Sequence, residues 1–212
     1  MSTKPAPPEL STHHPRSQVE RSQTTRRKII ESALKLLQKV GFQQTNLQAI
    51  ARGAKVTLGA VQHQFKNRQI LMECVVDEVM APLGTIGNAW PEDAAHKPLE
   101  LRAQEFVRLA WESVYAPPSY VAAWSLFFGC KTTPQLFERI DAHREQQDPI
   151  FFAKFLGVFP EVANKQPRPE QFAAVIFAAL RGLAIMRLFK TDHDAIEYQL
   201  DIISKMIVSG GD

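Results

Sequence analysis

The segment Thr24–Leu71 decides the fold of the chain and reads TTRRKIIESALKLLQKVGFQQTNLQAIARGAKVTLGAVQHQFKNRQIL. From Ile29 to Val40, apolar residues recur at the three- and four-residue steps of an amphipathic helix, and Gly41 follows as a stop signal. This pattern predicts a first helix over about residues 24 to 40.

Two further polar residues in this segment indicate where the next helices begin. Asn46 and Thr57 each precede a short apolar-periodic run, where a side-chain oxygen can accept from the free N–H groups of a helix start. Two short helices joined by a turn of about four residues are the sequence form of a helix-turn-helix, whose second helix can lie in a major groove. Gly59 and Ala60 suit that use, because a helix close to a sugar-phosphate wall has no room for bulk.

The same segment resembles the DNA-binding domain of the TetR family of transcriptional regulators over about fifty residues. The residues that carry the resemblance are Gly41, Phe42, Thr45, Ile50, Ala51, Ala54, Val56, Thr57, Gly59, Phe65, Lys66, Asn67, Arg68 and Leu71. The resemblance implies an all-α homodimer with an N-terminal three-helix DNA-binding domain. It also implies a larger helical domain for dimerisation and for a small ligand that releases DNA.

Three positions depart from the family pattern. Lys55 stands where the turn usually has glycine, so a left-handed conformation there would cost roughly 1 kcal/mol. Gln62 replaces a common tyrosine of the recognition helix, and Gln64 replaces a histidine or tyrosine. A glutamine can bind an adenine edge or a phosphate, so Gln62 remains a candidate contact. The residues predicted to contact an operator in double-stranded DNA are Asn46, Thr57, Leu58, Gly59, Ala60, Gln62, His63, Lys66 and Asn67.

The charge distribution fits this interpretation better than the net charge of +3. Residues 1–71 hold twelve Lys or Arg against three Asp or Glu, whereas the remainder holds thirteen against nineteen. A basic N-terminal segment followed by an acidic remainder is expected when one part of a protein binds phosphates.

Residues 1–22 are rich in Pro, Ser, Thr and His without apolar periodicity, which predicts a disordered tail. Its basic residues, with Arg26 and Arg27 beyond it, could follow the DNA backbone, or the tail could be a solvated segment only. We expect the DNA-binding domain to span 23–71 and the ligand-binding and dimerisation domain to span 72–212.

Six helical patterns follow the DNA-binding segment. They cover about residues 68–80, 99–115, 120–131, 134–155, 169–190 and 192–208, with a loop over 82–98. Pro149 should kink or break the fourth of these helices. The last two could form half of an intermolecular four-helix bundle or pack within one chain. The family resemblance favours the bundle, and hence a homodimer through the two C-terminal helices.

The chemistry of the chain excludes several classes of protein. We find no catalytic motif and no metal-ligand spacing, so the sequence predicts neither an enzyme nor a cofactor site. Cys74 and Cys130 are predicted to be buried or half-buried free thiols. The N-terminus lacks an apolar signal segment, and the longest apolar run, Phe172–Leu180, falls short of a membrane span. We therefore expect a cytoplasmic protein without a membrane contact.

Aromatic residues are concentrated in the middle of the chain, where they could fill a core or line a cavity with a few polar groups. The residues predicted to contact a small-molecule effector are Arg108, Trp111, Tyr115, Trp124, Phe127, Phe128, His143, Phe152, Phe155 and Arg181. Two alternatives stay open at this point. One is a regulator controlled by a protein partner, which the absence of a cavity would favour, and the other is an enzyme with an accessory DNA-binding segment.

Overall fold

The computed structural model describes residues 18–84, 90–187, 189 and 193–212. Over these residues the chain forms ten α-helices and no strand, which confirms the predicted all-α class. The helices are α1 Gln18–Gln44, α2 Leu47–Ala54, α3 Leu58–Gln64, α4 Arg68–Gly84, α5 Leu99–Ala110, α6 Pro118–Gly129, α7 Pro134–Val158, α8 Pro160–Lys165, α9 Pro169–Met186 and α10 His193–Gly211. A 3₁₀ turn at Ala94–His96 precedes α5, and a π-helical turn at Trp111–Tyr115 continues it.

Two hydrophobic cores organise these helices. The first joins α1 to α4, which bury residues such as Ile29, Ile50 and Phe65, with one face of α6 and the first half of α7. The second joins α5, the π-helical turn and α8 to α10 with the rest of α6 and α7. Helices α6 and α7 therefore contribute to both cores. We call residues 18–71 the reader and the described residues from 72 onward the body.

Helix α1 begins at Gln18, six residues before the predicted start, so the prediction of disorder was wrong for residues 18–22. Contacts with distant residues hold this extension: the Gln64 amide donates to the Ser22 hydroxyl at 2.9 Å, and the Arg26 guanidinium lies 4.6 Å from the centre of the Phe65 ring. The amino-acid composition of residues 1–22, on which the prediction of disorder was based, does not indicate contacts with residues far away in the sequence. The rest of the predicted tail, residues 1–17, lies outside the described residues.

Gly41 bends α1 instead of ending it. Its φ of 74° and ψ of 176° belong to a region of backbone conformation that is essentially restricted to glycine. The chain returns to helical geometry and continues to Gln44, and the Thr45 hydroxyl donates to the Gly41 carbonyl at 2.8 Å. The predicted stop signal is therefore a bend that precedes the first turn of the helix-turn-helix.

Helix α7 continues through Pro149, so a break there did not occur. Proline removes the hydrogen bond to the carbonyl four residues earlier, but that residue, Glu145, is exposed and water can satisfy its carbonyl. Helix α4 likewise passes Pro82 and ends at Gly84. Of the predicted loop over 82–98, residues 85–89 lie outside the described residues.

Helix α9 is long and apolar enough, by length and composition, to cross a membrane, with a mean hydropathy of 1.3. A core helix in a soluble protein passes the same test. In this fold α9 buries six side chains, among them Ile176 and Leu180, in the second core.

Candidate DNA interface and effector cavity

The two short helices of the reader are capped as the sequence predicts. The Asn46 side-chain oxygen accepts from the N–H of Ala49 at 2.9 Å at the start of α2. The Thr57 hydroxyl accepts from the N–H of Ala60 at 3.1 Å at the start of α3. Each cap is worth about 1 kcal/mol to its helix, so both residues have a structural role besides any contact with DNA.

The turn between α2 and α3 places Lys55 in the left-handed conformation, with φ 55° and ψ 44°. The N–H of Val56 donates to the Ala51 carbonyl at 3.0 Å, and the N–H of Lys55 donates to the Arg52 carbonyl at 3.1 Å. This pair of bonds is the Schellman arrangement, which usually has glycine in the left-handed position. A lysine there costs roughly 1 kcal/mol, and the turn forms despite that cost.

Helix α3 presents one face to the first core and the other to solvent. Val61 is fully buried, as is Phe65 just after the helix. The exposed residues of this segment include Thr57, Gly59, Gln62, His63, Lys66 and Asn67, whereas Leu58 and Ala60 are half-buried. The exposed face therefore carries small and polar side chains, as a surface that enters a groove requires.

Gly59 and Gly53 differ in what their missing side chains would meet. A Cβ atom at Gly53 would lie 2.3 Å from the Ser32 hydroxyl, which is buried and donates to the Ile50 carbonyl at 2.9 Å. A Cβ atom at Gly59 would come no closer than 3.9 Å to the Thr57 hydroxyl. Packing within the chain thus explains Gly53 but not Gly59, whose small size is consistent with a partner outside the chain.

Asn67 and Arg68 hold the reader together at the start of α4. The Asn67 side-chain oxygen accepts from the N–H of Ile70 at 2.9 Å, so its amide N–H groups and one lone pair of that oxygen are left for DNA. The Arg68 guanidinium donates to the carbonyls of Phe42 and Thr45, at 2.6 and 2.8 Å, and lies 4.2 Å from the centre of the Phe42 ring. Burial lowers the pKa of Arg68.

Basic residues that are exposed on the reader supply a surface for phosphates. They are Arg21, Arg26, Arg27, Lys28, Lys35, Lys39, Arg52, Lys55 and Lys66. Arg26, which we expected near the DNA backbone, is exposed and also donates to the Cys74 sulfur at 3.0 Å and stacks on Phe65. Cys74 is half-buried and Cys130 is buried, and both are free thiols.

The second core borders a partly open cavity of about 150 Å³. Its lining residues come from five segments of the body: Trp90, Phe106, Ala110, Val114, Tyr115, Tyr120, Ala123, Trp124, Phe127, Ile140, Arg144, Asp148, Phe151, Phe152, Phe177 and Arg181. Most of these side chains are apolar, so the cavity favours a ligand with an apolar body.

Five of the ten residues predicted to contact an effector line this cavity: Tyr115, Trp124, Phe127, Phe152 and Arg181. The other five lie elsewhere. Arg108 and Trp111 line a groove between α5 and α10, because α5 turns Phe106, Ala110 and Val114 toward the cavity instead.

The remaining three are excluded from the cavity by their position on α6 and α7. Phe128 is 59% exposed, on the outer side of Trp124. Phe155 is fully buried against Phe106, Phe159 and Phe177 and fills core. His143 lies 3.2 Å from Asp77, on the side of α7 that faces α4.

The lining residues that were not predicted as effector contacts include Trp90, Phe106, Tyr120, Phe151 and Phe177. A four-residue step joins Phe106 to Ala110 and Val114, and another joins Phe177 to Arg181. These repeats identify helix faces, but only the packing of the helices decides which face encloses the cavity. Trp90 lies in the predicted loop, where its ring stacks on Phe106 with centroids 5.2 Å apart.

Helix α6 connects the cavity to the reader. Ala123, Trp124 and Phe127 line the cavity, whereas Ala122 and Leu126 are buried in the first core with residues of α1. At the end of α6, a Cβ atom on Gly129 would lie 2.2 Å from the Cβ of Phe42, and the Gln43 amide donates to the Gly129 carbonyl at 3.5 Å. A displacement of α6 on its cavity side must therefore move its contact with α1.

Helix α4, which begins in the reader and continues into the body, is tied to α7 by an ion-pair cluster. Arg139 of α7 donates to both carboxylate oxygens of Asp77, at 2.8 and 2.6 Å, and His143 lies 3.2 Å from one of them. The hydrogen bonds from Arg139 hold the pKa of Asp77 below its usual value. Through this cluster α7, which also lines the cavity, contacts the helix that leaves the reader.

No group of three or more His, Cys, Asp or Glu residues within the described ranges could hold a metal ion. A capped helix-turn-helix with an exposed small and polar face, joined to a helical body, defines a DNA-binding regulator of transcription. Residues 29–75 match the family "Bacterial regulatory proteins, tetR family". These residues therefore carry the DNA-binding domain of the TetR family of transcriptional regulators.

Relatives and solved structures agree with this assignment. The chain is 24% identical over 190 residues to the HTH-type transcriptional regulator CymR of Pseudomonas putida, covering 86% of this chain and 88% of CymR. In structure it resembles the fatty acid degradation regulator FadR of Bacillus halodurans, with a TM-score of 0.65, 14% identity and 88% and 95% of the two chains covered. It also resembles LfrR of Mycobacterium smegmatis in complex with proflavine, with a TM-score of 0.58, 18% identity and 89% and 96% covered. At these identities the two structures establish a shared fold only.

Proposed function

We propose that the chain represses transcription as a homodimer bound to an operator and leaves that operator when a small, largely apolar molecule occupies the cavity. The observation that carries this proposal is the position of α6, which lines the cavity with one face and packs on α1 of the reader with the other. A ligand that reshapes the cavity side of α6 would thereby change the orientation of the reader.

On the DNA side, α3 is proposed to enter a major groove. Gln62, His63 and Lys66 are exposed there, and Gly59 leaves room for the groove wall. The proposed contacts remain those predicted from the sequence, with two restrictions. Asn46 and Asn67 use one lone pair of their side-chain oxygens for helix caps, and the Asn46 amide also donates to the Gln44 carbonyl at 3.4 Å, so each side chain has fewer groups left for a phosphate or a base.

The proposed dimer would pair α9 and α10 with the same helices of a second copy. Val175 on α9 and Tyr198, Ile202 and Met206 on α10 are exposed although they are apolar or aromatic. The three on α10 follow a four-residue step, so they form one stripe that a second copy could bury. Sedimentation at micromolar concentration should give a dimer, and a monomer there would contradict this part of the proposal.

Effector release requires that the ligand favour a conformation in which the two readers no longer match two grooves. By linkage, DNA must then weaken the ligand by the same factor, and a coupling of about 1 to 3 kcal/mol gives a 5- to 150-fold effect. The complex of LfrR with proflavine supports the idea that a body of this fold binds a compact aromatic molecule. The cavity also argues against a regulator that is controlled by a protein partner alone. We place the protein in the cytoplasm, where the DNA is.

The direction of regulation is tested by transcription in a cell-free system from a promoter that overlaps the operator. A repressor lowers the amount of transcript in proportion to operator occupancy, and an effector restores it. An increase in transcript on addition of the protein would show an activator and overturn this part of the proposal.

The role of the cavity is tested by Ala123→Trp, which places a large ring in the space that a ligand would fill. We expect the variant to bind operator DNA as the wild type does but to respond to no effector found by screening apolar compounds for a rise in melting temperature. Ala142→Trp on the exposed side of α7 is the matched control and should keep the response. Ala123→Leu is a smaller substitution for the case in which the tryptophan prevents folding. If effectors bind Ala123→Trp and release its DNA normally, the cavity is not the effector site.

A further inference from the structure

The polar groups of the cavity are mostly hydrogen-bond donors. Tyr115 and Tyr120 lie with their ring centroids 4.9 Å apart in a T-shaped arrangement, and both line the cavity with Arg181. Burial raises the pKa of both tyrosines, and the positive charge of Arg181 offsets part of the increase. Both phenols therefore keep their protons at neutral pH.

The two tyrosine hydroxyls are free to donate to a ligand. Hydrogen bonds from Trp124 and Arg181 to Tyr120 also offset the rise in its pKa, so the Tyr120 oxygen accepts from them and its own proton stays available. Within the part of the chain that the structure describes, no group accepts a hydrogen bond from the hydroxyl of Tyr115. The cavity thus offers two O–H donors and one guanidinium to the same volume.

The charges around the cavity leave Arg181 without a counter-ion. The carboxylate of Asp148 is bonded to Arg144 at 3.2 Å, and Arg144 also pairs with Asp141 at 2.9 Å. No carboxylate among the described residues lies within ion-pair distance of Arg181, which is half-buried. A cation that is partly withdrawn from water without a counter-ion is less favourable than a paired one, and an anion in the cavity would supply that counter-ion.

We propose, on the basis of the function proposed above, that the effector is a one-ring aromatic compound with a single carboxylate, which Arg181 binds and to which Tyr115 and Tyr120 donate. The size follows from the cavity of about 150 Å³, because a dry apolar cavity of that volume can hold a benzene ring. The charge follows from the three converging donors. A cationic ligand would lie close to Arg181 and Arg144, and the carboxylate of Asp148 in the lining is already paired with Arg144.

The test compares benzoate, benzamide and benzamidine, three molecules of nearly the same shape with charges of −1, 0 and +1. Binding to the full chain is measured by calorimetry, and release of operator DNA is measured by fluorescence anisotropy. We expect benzoate to bind at least about tenfold more tightly than benzamide, because a hydrogen bond to a charged group contributes about 1.5 to 3 kcal/mol. Benzamidine should bind most weakly, and benzoate should lower operator affinity.

Two substitutions of Arg181 test whether this residue binds the carboxylate of the ligand. Arg181→Gln should weaken benzoate by at least about tenfold and change benzamide little, whereas Arg181→Lys should keep the preference for benzoate. Arg108→Gln removes the same charge from the exposed groove outside the cavity and should leave the affinity for benzoate unchanged. These comparisons use ratios of affinities, so a general loss of stability does not imitate them.

Benzamide binding as tightly as benzoate, or an unchanged affinity for benzoate in Arg181→Gln, would overturn the assignment of the anion. Failure of all three molecules to bind at concentrations up to their solubility would overturn the assignment of both size and charge. The proposed function fails separately, if no compound of any class releases the operator or if effectors bind Ala123→Trp and release its DNA normally. If neutral compounds release the operator from the wild type but not from Ala123→Trp, the cavity is the effector site but does not prefer carboxylates.

Discussion

The reader and the body arrange their aromatic side chains in different ways. In the reader, Phe42 and Phe65 are closed into the first core, and each is covered by an arginine, Arg68 and Arg26 respectively. In the body, Tyr115, Tyr120 and Phe177 are also buried, but they surround a cavity. A compact core suits a part that acts through its surface, and a core with a cavity suits a part that acts through its interior. Helix α6 belongs to both cores and is the place where one part can influence the other.

The largest loss of operator affinity is expected for Gly59→Leu, which adds bulk to the surface of the reader. Specific operator affinity should fall by at least about 100-fold, because α3 can no longer approach the groove and loses base contacts worth about 1 to 3 kcal/mol each. The melting temperature should stay the same or rise, since a Cβ at this position meets only the Thr57 hydroxyl, at 3.9 Å, and leucine favours a helix by more than glycine does. Fluorescence anisotropy and thermal denaturation measure the two quantities.

Gly157→Leu is the matched control for this prediction, because Gly157 lies on the exposed side of α7 with nothing within 4 Å of its Cβ position. It should leave operator affinity unchanged. Equal losses in the two variants, or normal binding by Gly59→Leu, would show that α3 does not lie against DNA.

The next effect concerns the contact that joins the two parts. Gly129→Ala should destabilise the protein by about 1 to 3 kcal/mol, because its Cβ would overlap Phe42 and force α6 away from α1. Urea denaturation measures the free energy of unfolding, and Gly157→Ala is the control. We also expect the operator affinity of the folded variant to change, since α1 supports the helix-turn-helix. A variant as stable as the wild type, with the same operator affinity, would mean that α6 and α1 are not tightly coupled.

The local features of the reader explain why its site could be predicted from the sequence. Asn46 and Thr57 bond to N–H groups only three residues away, so their spacing alone fixes both helix starts. The cavity could not be predicted in the same way, because Trp90, Phe106, Tyr120 and Phe177 meet only after five segments have packed. Arg108 and Arg181 look alike in the sequence, yet one lies in an outer groove and the other in the cavity. Similarly, the start of α1 depends on Ser22 and Arg26 meeting Gln64 and Phe65.

The smallest effect is expected for Lys66→Ala, which removes one exposed charge from the reader. Operator affinity should fall by a similar factor for all DNA sequences, and the salt dependence of binding should decrease by about one ion. Gln62→Ala tests the neighbouring position and should instead change sequence preference if Gln62 contacts a base. An unchanged salt slope in the first variant and unchanged selectivity in the second would place this part of α3 away from DNA.

The central claim is that two copies of the chain read DNA through α3, and selection of bound sequences from random DNA tests it most directly. The wild-type protein should enrich an inverted repeat whose half-sites are centred about one helical turn, or a multiple of it, apart, with two protomers bound to each site. Gly59→Leu should enrich no such sequence. Enrichment of the same repeat by Gly59→Leu, binding of one protomer to one half-site, or no enrichment by the wild type would contradict the claim.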